Sequence, residues 1–412
     1  MGIETRAITD DEFPSWSDSM DVGFFNPDKR DGGAFRRRLW SDEPVADRMV
    51  GGLEGGRMVG TLRTFATGLT VPGGAALPVG AVTSVSVQPT HRRRGILTGM
   101  IGECLRTSVE LEEAASILIP AEWPIYGRFG YGVATEQMNI AVDAAVAKLL
   151  SPLPGTIEYI SAERWAADMI PVYERVRAAT PGAIQRQNWW WQLQAGLLRP
   201  EGKPEDKDTT FAVCRDEDGT VRGYAKYEIK DKDAWDGFRP RLRIEGTVLA
   251  ETPQVRARLL RFLWEQDWIG TVSVDVQPID DTWKLLLRDA RAVSQTDRHD
   301  VLWVRLLDVA SALSQRTYES EGRVVLAVTD DDRYAEGVYA LDGGPTGATC
   351  TRTTETADLT LSVQALGSLY LGGYSATSLA RVGQVAEERA GALALADRMF
   401  KTAVAPFAPT WF

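Results

Sequence analysis

The sequence predicts a mixed α/β chain that ends in a smaller α+β unit, and three observations carry this reading. Strand-like and helix-like stretches alternate over the first 150 residues. The order strand, turn, helix, strand recurs between Leu242 and Val276, and from about Arg298 short strands give way to helices. With 412 residues, 44% hydrophobic and 25% charged, the chain can bury substantial cores and fold as two or three domains.

Ile3–Ile8 reads as a short strand and Phe13–Trp40 as polar helical segments. Met49–Gly52, Arg57–Thr67 and Gly80–Val87 are expected strands, separated by the turns Glu54-Gly55-Gly56 and Pro72-Gly73-Gly74. A helix over Gly95–Ala114 and a buried strand at Ser116–Ile119 follow within the first domain, residues 1–150. The breaker run from Ser151 to Gly155 opens a second α/β domain, residues 151–297. Its strand Leu242–Leu249, helix Pro253–Gln266 and strand Thr271–Val276 echo Ala81–Val87, Gly95–Ala114 and Ser116–Ile119, as a degenerate second copy would. The turn Glu251-Thr252-Pro253-Gln254 has no glycine and begins with a carboxylate that would repel a pyrophosphate, so no phosphate-bearing ligand is expected there. Residues 298–412 form the third unit, with strands Arg323–Thr329, Gly337–Leu341 and Leu359–Ser362 and helices Val363–Leu371 and Ala390–Val404. The final stretch, Pro406–Phe412, is apolar, aromatic and stiffened by two prolines, so it is expected to be docked.

The net charge of −11 is spread along the chain, which speaks against nucleic acid or membrane as partner and suits a cationic small molecule. Three widely spaced cysteines suggest neither a disulfide framework nor a zinc site, and a reducing cytoplasm is the expected home. No signal-peptide pattern or membrane-length apolar run is visible. With only His91 and His299, a hydrolase triad or a His-ligated metal is hard to build, so no metal is expected.

Chemistry concentrates at Val85–Thr98. There a strand ends, Gln88-Pro89-Thr90-His91 makes a loop, and a helix begins at Arg92-Arg93-Arg94-Gly95-Ile96-Leu97-Thr98. Arginines in a first helical turn oppose the helix dipole, at a cost of about 0.3–1 kcal/mol each. A bound anion removes that conflict: free amides and guanidinium forks suit a pyrophosphate, and Gly95 lets its oxygens approach the main chain.

This stretch resembles the acetyl-CoA signature of GNAT acetyltransferases: Arg92 and Gly95 match, while Leu97 stands where that signature has glycine or alanine. The whole chain resembles the Eis (enhanced intracellular survival) family of GNAT proteins. The likeness rests on Val87–Gly95, on Ile-Tyr-Gly-Arg-Phe-Gly-Tyr-Gly at Ile125–Gly132, and on an aromatic C-terminal residue. The resemblance implies tandem GNAT-like domains, the second without the donor signature, followed by a sterol-carrier-protein-like domain. It further implies that Val85, Ser86 and Val87 pair with the pantetheine arm of acetyl-CoA, that Arg93 to Thr98 hold the pyrophosphate, and that Ala121 and Glu122 border the donor. A homo-oligomer, a hexamer in this family, is implied as well.

Transfer of an acetyl group from a thioester to an amine needs a proton for the departing thiolate and a base for the amine. A phenol, with an ordinary pKa of about 10, stays protonated at neutral pH, and the motif points to Tyr126 as this acid, with Tyr131 structural. The base that the resemblance implies is the C-terminal carboxylate of Phe412, which needs desolvation to gain basicity. Family likeness directs the substrate to Phe24, Phe25, Asn26 and Trp40, aromatic faces suited to cations. Asn26 stands where a carboxylate would suit polyamines such as aminoglycosides.

The reading is thus an acetyl-CoA-dependent N-acetyltransferase acting on primary amines of cationic small molecules. The alternatives are a protein-lysine acetyltransferase and a non-catalytic lipid-binding or sensor protein with a vestigial acyltransferase domain. Trp189-Trp190-Trp191 is read as packing, and Asp330-Asp331-Asp332 as a solvated loop.

Overall fold

In the computed structural model, residues 2–26, 33–40, 48–204, 207–230, 235–236, 239–240 and 242–412 are described. The chain opens with β1 (Ile3–Ala7). A reciprocal capping box between Thr9 and Glu12 then leads into α1 (Phe13–Gly23), which has proline in its first turn. After α2 (Ala34–Leu39) come the antiparallel strands β2 (Met49–Glu54), β3 (Arg57–Thr70) and β4 (Ala76–Val87), then α3 (Ile96–Glu110) and β5 (Ala115–Leu118). A short α4 (Trp123–Tyr126), β6 (Gly132–Val133) and β7 (Glu136–Asp143) follow.

The middle of the chain runs β8 (Thr156–Ile160), α5 (Ala162–Asp168), α6 (Ile170–Ala178), α7 (Asn188–Gln194), β9 (Thr209–Arg215) and β10 (Val221–Lys230). A ribbon of β11 (Trp235–Asp236) and β12 (Arg239–Pro240) precedes β13 (Leu242–Ala250), α8 (Pro253–Trp264), β14 (Ile269–Pro278), β15 (Val293–Asp300) and β16 (Trp303–Leu306). The last part contains α9 (Val309–Ser314), β17 (Gly322–Thr329), β18 (Gly337–Gly344), β19 (Gly347–Arg352), β20 (Leu359–Ser362), α10 (Val363–Tyr370), α11 (Ala376–Arg381), β21 (Val385–Glu387) and α12 (Ala392–Phe400).

Two seven-stranded sheets share one plan. The first has the order β1-β2-β3-β4-β5-β16-β6, and the second, read from its other edge, β8-β9-β10-β13-β14-β7-β15. Each has one parallel pair around a crossover helix, β4-α3-β5 and β13-α8-β14. The duplication expected from the repeated order is therefore present in the topology. In each sheet the sixth strand comes from the other half of the chain: β16 pairs with β5 from Trp303↔Leu118 to Leu306↔Ala115, and β7 pairs with β14. Periodicity marks a strand without revealing its partner, so this exchange is not visible in the sequence. The chain forms two compact units, one of residues 1–134, 301–403 and 411–412, the other of 135–300 and 404–410.

In the first unit, α3 buries Ile96, Met100, Ile101, Cys104 and Leu105 against Val50, Val59, Leu62 and Val82 of the sheet. Phe13, Trp16 and Met20 of α1 pack with Met49, Leu53 and Met58, and Trp16 donates its indole N–H to the Val50 carbonyl at 2.9 Å. Burying a large apolar side chain contributes about 1.5–3 kcal/mol, so these faces fix both helices. The five-stranded sheet β19-β18-β17-β20-β21 belongs to this unit too. α10 approaches β16 and β6 so closely that a Cβ at Gly367 would lie 2.2 Å from the Val304 carbonyl oxygen. In the second unit, α8 covers one face of its sheet through Leu259, Leu260, Leu263 and Trp264.

The last helix stops at Phe400 rather than continuing to Val404, since Lys401 leaves helical geometry and the prolines beyond cannot restore it. Among the described residues, no helix is long and apolar enough to cross a membrane.

Candidate active site

The site grows from β4. Parallel pairing with β5 runs only from Val79↔Ala115 to Val82↔Leu118. Just beyond, the ladder to β3 slips between Thr61 and Arg63, and Ser84 takes a left-handed φ of 54°, uncommon for a residue with a Cβ. Thr61 holds the bulge, donating its hydroxyl to the Ser84 carbonyl at 2.9 Å and lying 2.8 Å from Ser86 Oγ. The kink leaves Val85–Val87 with β3 on one side and, among the described residues, no strand on the other. Such an edge offers main-chain donors and acceptors to an amide-bearing ligand.

At the end of β4, Pro89–His91 makes one 3-10 turn, Arg93 adopts φ 62°, and Gly95 at φ 81° caps α3 with no side-chain hydrogen bond. The first amides of a helix have no acceptor within it, so those of α3 are available to a ligand. A Cβ at Gly95 would meet nothing within 4 Å: glycine supplies the backbone angle, and the space beside it is open. Arg92 donates from Nε to the Val87 carbonyl at 3.3 Å and lies 5.8 Å from the Phe25 ring centre. Arg94 turns instead to Glu54, which also has His91 Nε2 at 3.0 Å. The Arg94 guanidinium holds the Glu54 carboxyl below its usual range.

These pieces line a cavity of about 730 Å³. Around it stand Val85, Ser86, Val87, Arg92, Arg93, Gly95, Ile96, Leu97, Thr98, Ala121, Glu122 and Tyr126, together with Phe24 and Phe25. Arg94, Asn26, Trp40 and Phe412 are not among its lining residues. Sequence reasoning missed Gly23, His91, Ile125 and Arg128, which also line it. Arg128 lies inside the Ile125–Gly132 motif, so that motif was the available signal.

Tyr126 ends α4 and is 7% exposed, its ring edge-on to Tyr131 with centroids 6.1 Å apart. Burial, and then the charge of Glu122, pushes its phenol up to about 12, so at neutral pH it is a proton donor. Tyr131 is fully buried, with its hydroxyl 2.7 Å from Ser116 Oγ.

Asn26 folds back on the end of α1, donating its side-chain amide to the Phe24 carbonyl at 2.9 Å. Trp40 lies under the Arg63 guanidinium, 4.1 Å from its ring centre, and Arg63 also covers Phe65 at 5.4 Å. Phe412 packs on Phe65, which extends this run of aromatic and cationic groups to the chain terminus.

In the second unit, the tail residues 404–410 are docked. Phe407 N–H donates to the Pro181 carbonyl at 2.8 Å, and Arg186 donates to Thr410 Oγ1 at 2.9 Å and the Pro409 carbonyl at 3.1 Å. Arg186 stacks on Tyr173, Trp190 and Trp191, so these two tryptophans of the run pack, with Trp191 buried. In the acidic run Asp331 and Asp332 are exposed as expected, but Asp330 is buried and pairs with Arg305 at 2.9 Å. A partner 25 residues earlier in the chain leaves no trace in local composition.

The matching region of the second unit is built differently. Thr252 caps α8 through the Val255 amide, and Glu251 is held by Arg175 at 2.8 Å. Arg256 donates to the Val248 carbonyl of β13 at 2.9 Å and to Gln277 of β14 at 3.1 Å, and pairs with Asp281 at 2.8 Å. Side chains thus occupy the backbone and helix-end positions that are open in the first unit.

A sheet splayed at a bulge, with an uncapped helix opening on a left-handed glycine beside the splay, defines a GNAT-type acyltransferase domain. Residues 4–134 match the family described as "Acetyltransferase (GNAT) domain", residues 182–306 match a second family of that description, and residues 309–409 match "Sterol carrier protein domain". The chain is 36% identical to an "Uncharacterized N-acetyltransferase" of Streptomyces avermitilis, covering 100% of this chain and 99% of that protein. It is 30% identical to "N-acetyltransferase Eis" of Mycobacterium tuberculosis, covering 98% of each. The crystal structure of Eis1 from Mycobacterium abscessus superposes with a TM-score of 0.84 at 29% identity, covering 99% of this chain and 100% of that one. The chain belongs to the Eis family of GNAT N-acetyltransferases and is an acyltransferase.

Proposed function

We propose that the protein transfers the acetyl group of acetyl-CoA directly to a primary amine of a cationic small molecule, aminoglycosides included. One observation carries this reading: a single cavity brings together the open edge Val85–Val87, the uncapped start of α3 and the phenol of Tyr126. The diphosphate of the donor fits the α3 amides and the guanidiniums of Arg92 and Arg93, while the amides of the pantetheine arm fit the β4 edge.

In this reading the neutral amine attacks the thioester carbonyl carbon, and the C–S bond breaks as the tetrahedral adduct collapses. Tyr126 gives its proton to the departing thiolate. By family likeness the Phe412 carboxylate takes the proton of the amine, with the Phe412 ring packed on Phe65. By family likeness the active form is a homohexamer, which light scattering of the purified protein tests.

The experiment is thiol release from acetyl-CoA with a panel of aminoglycosides, linear polyamines and lysine peptides. Turnover with the first two groups is expected, falling at least tenfold in Tyr126→Phe and on deletion of Phe412. Full activity in both variants would refute the mechanism, and turnover with lysine peptides alone would refute the substrate class.

A further inference from the structure

The loop that carries Tyr126 is braced from behind by Arg305, which Asp330 of the sterol-carrier-like part holds in turn. Arg305 on β16, with its side chain 1% exposed, donates from Nη1 to the carbonyl of Phe129, three residues past Tyr126. Its Nη2 meets both oxygens of Asp330, at 2.9 and 3.1 Å. Asp330 is fixed in turn by the amides of Asp332 at 3.3 Å and Ala335 at 2.9 Å, and the Asp332 carboxylate lies 3.2 Å from Arg305. Gly130, at φ 79°, has no room for a side chain: a Cβ there would fall 2.0 Å from Arg305 Nη1.

A buried guanidinium held by a buried carboxylate, with a second at its rim, has few alternative placements, because any other leaves a desolvated charge unpaired. Such a pair is weak as a source of stability, and here the Arg305 Nε finds no acceptor among the described residues. What the contact does fix is the path of the backbone from Gly127 to Gly130.

We propose that Arg305 and Asp330 are positioning residues for the acyl transfer, holding the Tyr126–Gly130 loop so that the Tyr126 hydroxyl faces the donor cavity. The proposal rests on the reading of Tyr126 as the acid. It gives the sterol-carrier-like part a role in the chemistry separate from supplying the terminal residue.

The test measures kcat, KM for acetyl-CoA, the Kd of coenzyme A and Tm on the full chain for Asp330→Asn, Arg305→Lys, Asp332→Asn and Tyr126→Phe. Asp358→Asn is the control: Asp358 is a similarly buried carboxylate of the same sheet region, holding Arg389 and the Val325 amide, with no bond to the acid loop. Asp330→Asn and Arg305→Lys are expected to lower kcat at least tenfold with the coenzyme Kd within threefold, whereas Asp358→Asn loses Tm but keeps kcat within twofold. Asp332 is half exposed, so its variant keeps the fold and should slow turnover about threefold even if a buried variant does not fold. Unchanged kcat at position 332 and in every folded variant at positions 305 and 330, beside a slow Tyr126→Phe, overturns the positioning role alone. An equal loss in Asp358→Asn overturns it too, and an unchanged Tyr126→Phe overturns the acid assignment itself.

Discussion

The ring of Phe412 meets the ring of Phe65 edge-on, centroids 5.4 Å apart and planes at 85°, which seats the last residue of the chain on β3. An aromatic pair of this geometry contributes about 0.5–1.5 kcal/mol beyond the area it buries. Phe65→Leu keeps the apolar bulk but removes that seat. It is expected to lower kcat by about three- to tenfold, following the size of the pair, while the Kd of coenzyme A stays the same. Unaltered kcat would separate the terminus from the chemistry.

Gly95→Ala tests the donor loop. At φ 81° a Cβ is strained by about 1–2 kcal/mol, and it would project into the open space beside the helix start. Calorimetric titration is expected to show coenzyme affinity reduced at least tenfold with only a modest drop in Tm. A variant that loses stability but binds normally would place the diphosphate elsewhere.

Glu54 holds Arg94, which does not line the cavity, and lies 3.0 Å from His91, which does. Replacing it with glutamine removes a negative charge near the diphosphate and frees a guanidinium, so coenzyme binding should tighten by about threefold at low ionic strength. The gain should shrink as salt is added. Equal affinities at every salt concentration would show that Arg94 takes no part in binding.

Stability should fall on the alkaline side. Burial pushes the thiols of Cys104 and Cys350 up to about 12 from an ordinary 9.0, and the Tyr126 phenol up to about 12 from 10.0. Each folded value lies above the unfolded one, so the native state binds the proton more tightly. The stability this confers is intact below pH 9.0 and is lost as pH rises toward about 12. Tm should therefore stay level through neutrality and decline above that point, less steeply in Tyr126→Phe. A Tm that rises with pH in this window contradicts the burial of these groups.

Arg186 clamps the tail of the second unit through two hydrogen bonds and stacking on Tyr173 and Trp190 at 3.7 and 3.8 Å. Stacked cations contribute about 1–2 kcal/mol when desolvated. In Arg186→Ala the amide of Phe407 is expected to exchange with solvent at least tenfold faster, as read by hydrogen-exchange mass spectrometry. Unchanged protection would mean that the tail is held without Arg186, by Phe407 on Pro181 and Ala405 on Asp280.

What could be read from the sequence, and what could not, follows the range of each interaction. The loop proposed to hold the donor is legible because its pattern is local: arginines at a helix start, a glycine after them and a strand before. The helix over 96–110 and the strands around it follow from periodicity for the same reason. The bulge at Ser84 is not legible, since serine gives no sign of a left-handed backbone that Thr61 imposes from the neighbouring strand. Nor is the burial of Asp330, which looks like any aspartate in an acidic run until Arg305 is found opposite it. Phe24 and Phe25 reach the cavity, whereas Trp40 stacks with Arg63 instead, a difference set by packing between distant strands and helices.

The crossing of β16 and β7 between the two sheets has a consequence for how the protein is made. As the nascent chain leaves the ribosome, β5 emerges early, but the strand that covers its flank arrives only after the whole middle of the chain has been synthesised. Until then β5 presents an open edge, the kind of surface that recruits stray strands. A piece ending near residue 150 keeps that edge for good and carries β7 without its partners. Production of separate lobes should therefore yield aggregates, and the enzyme can be dissected by point substitution but not by scissors.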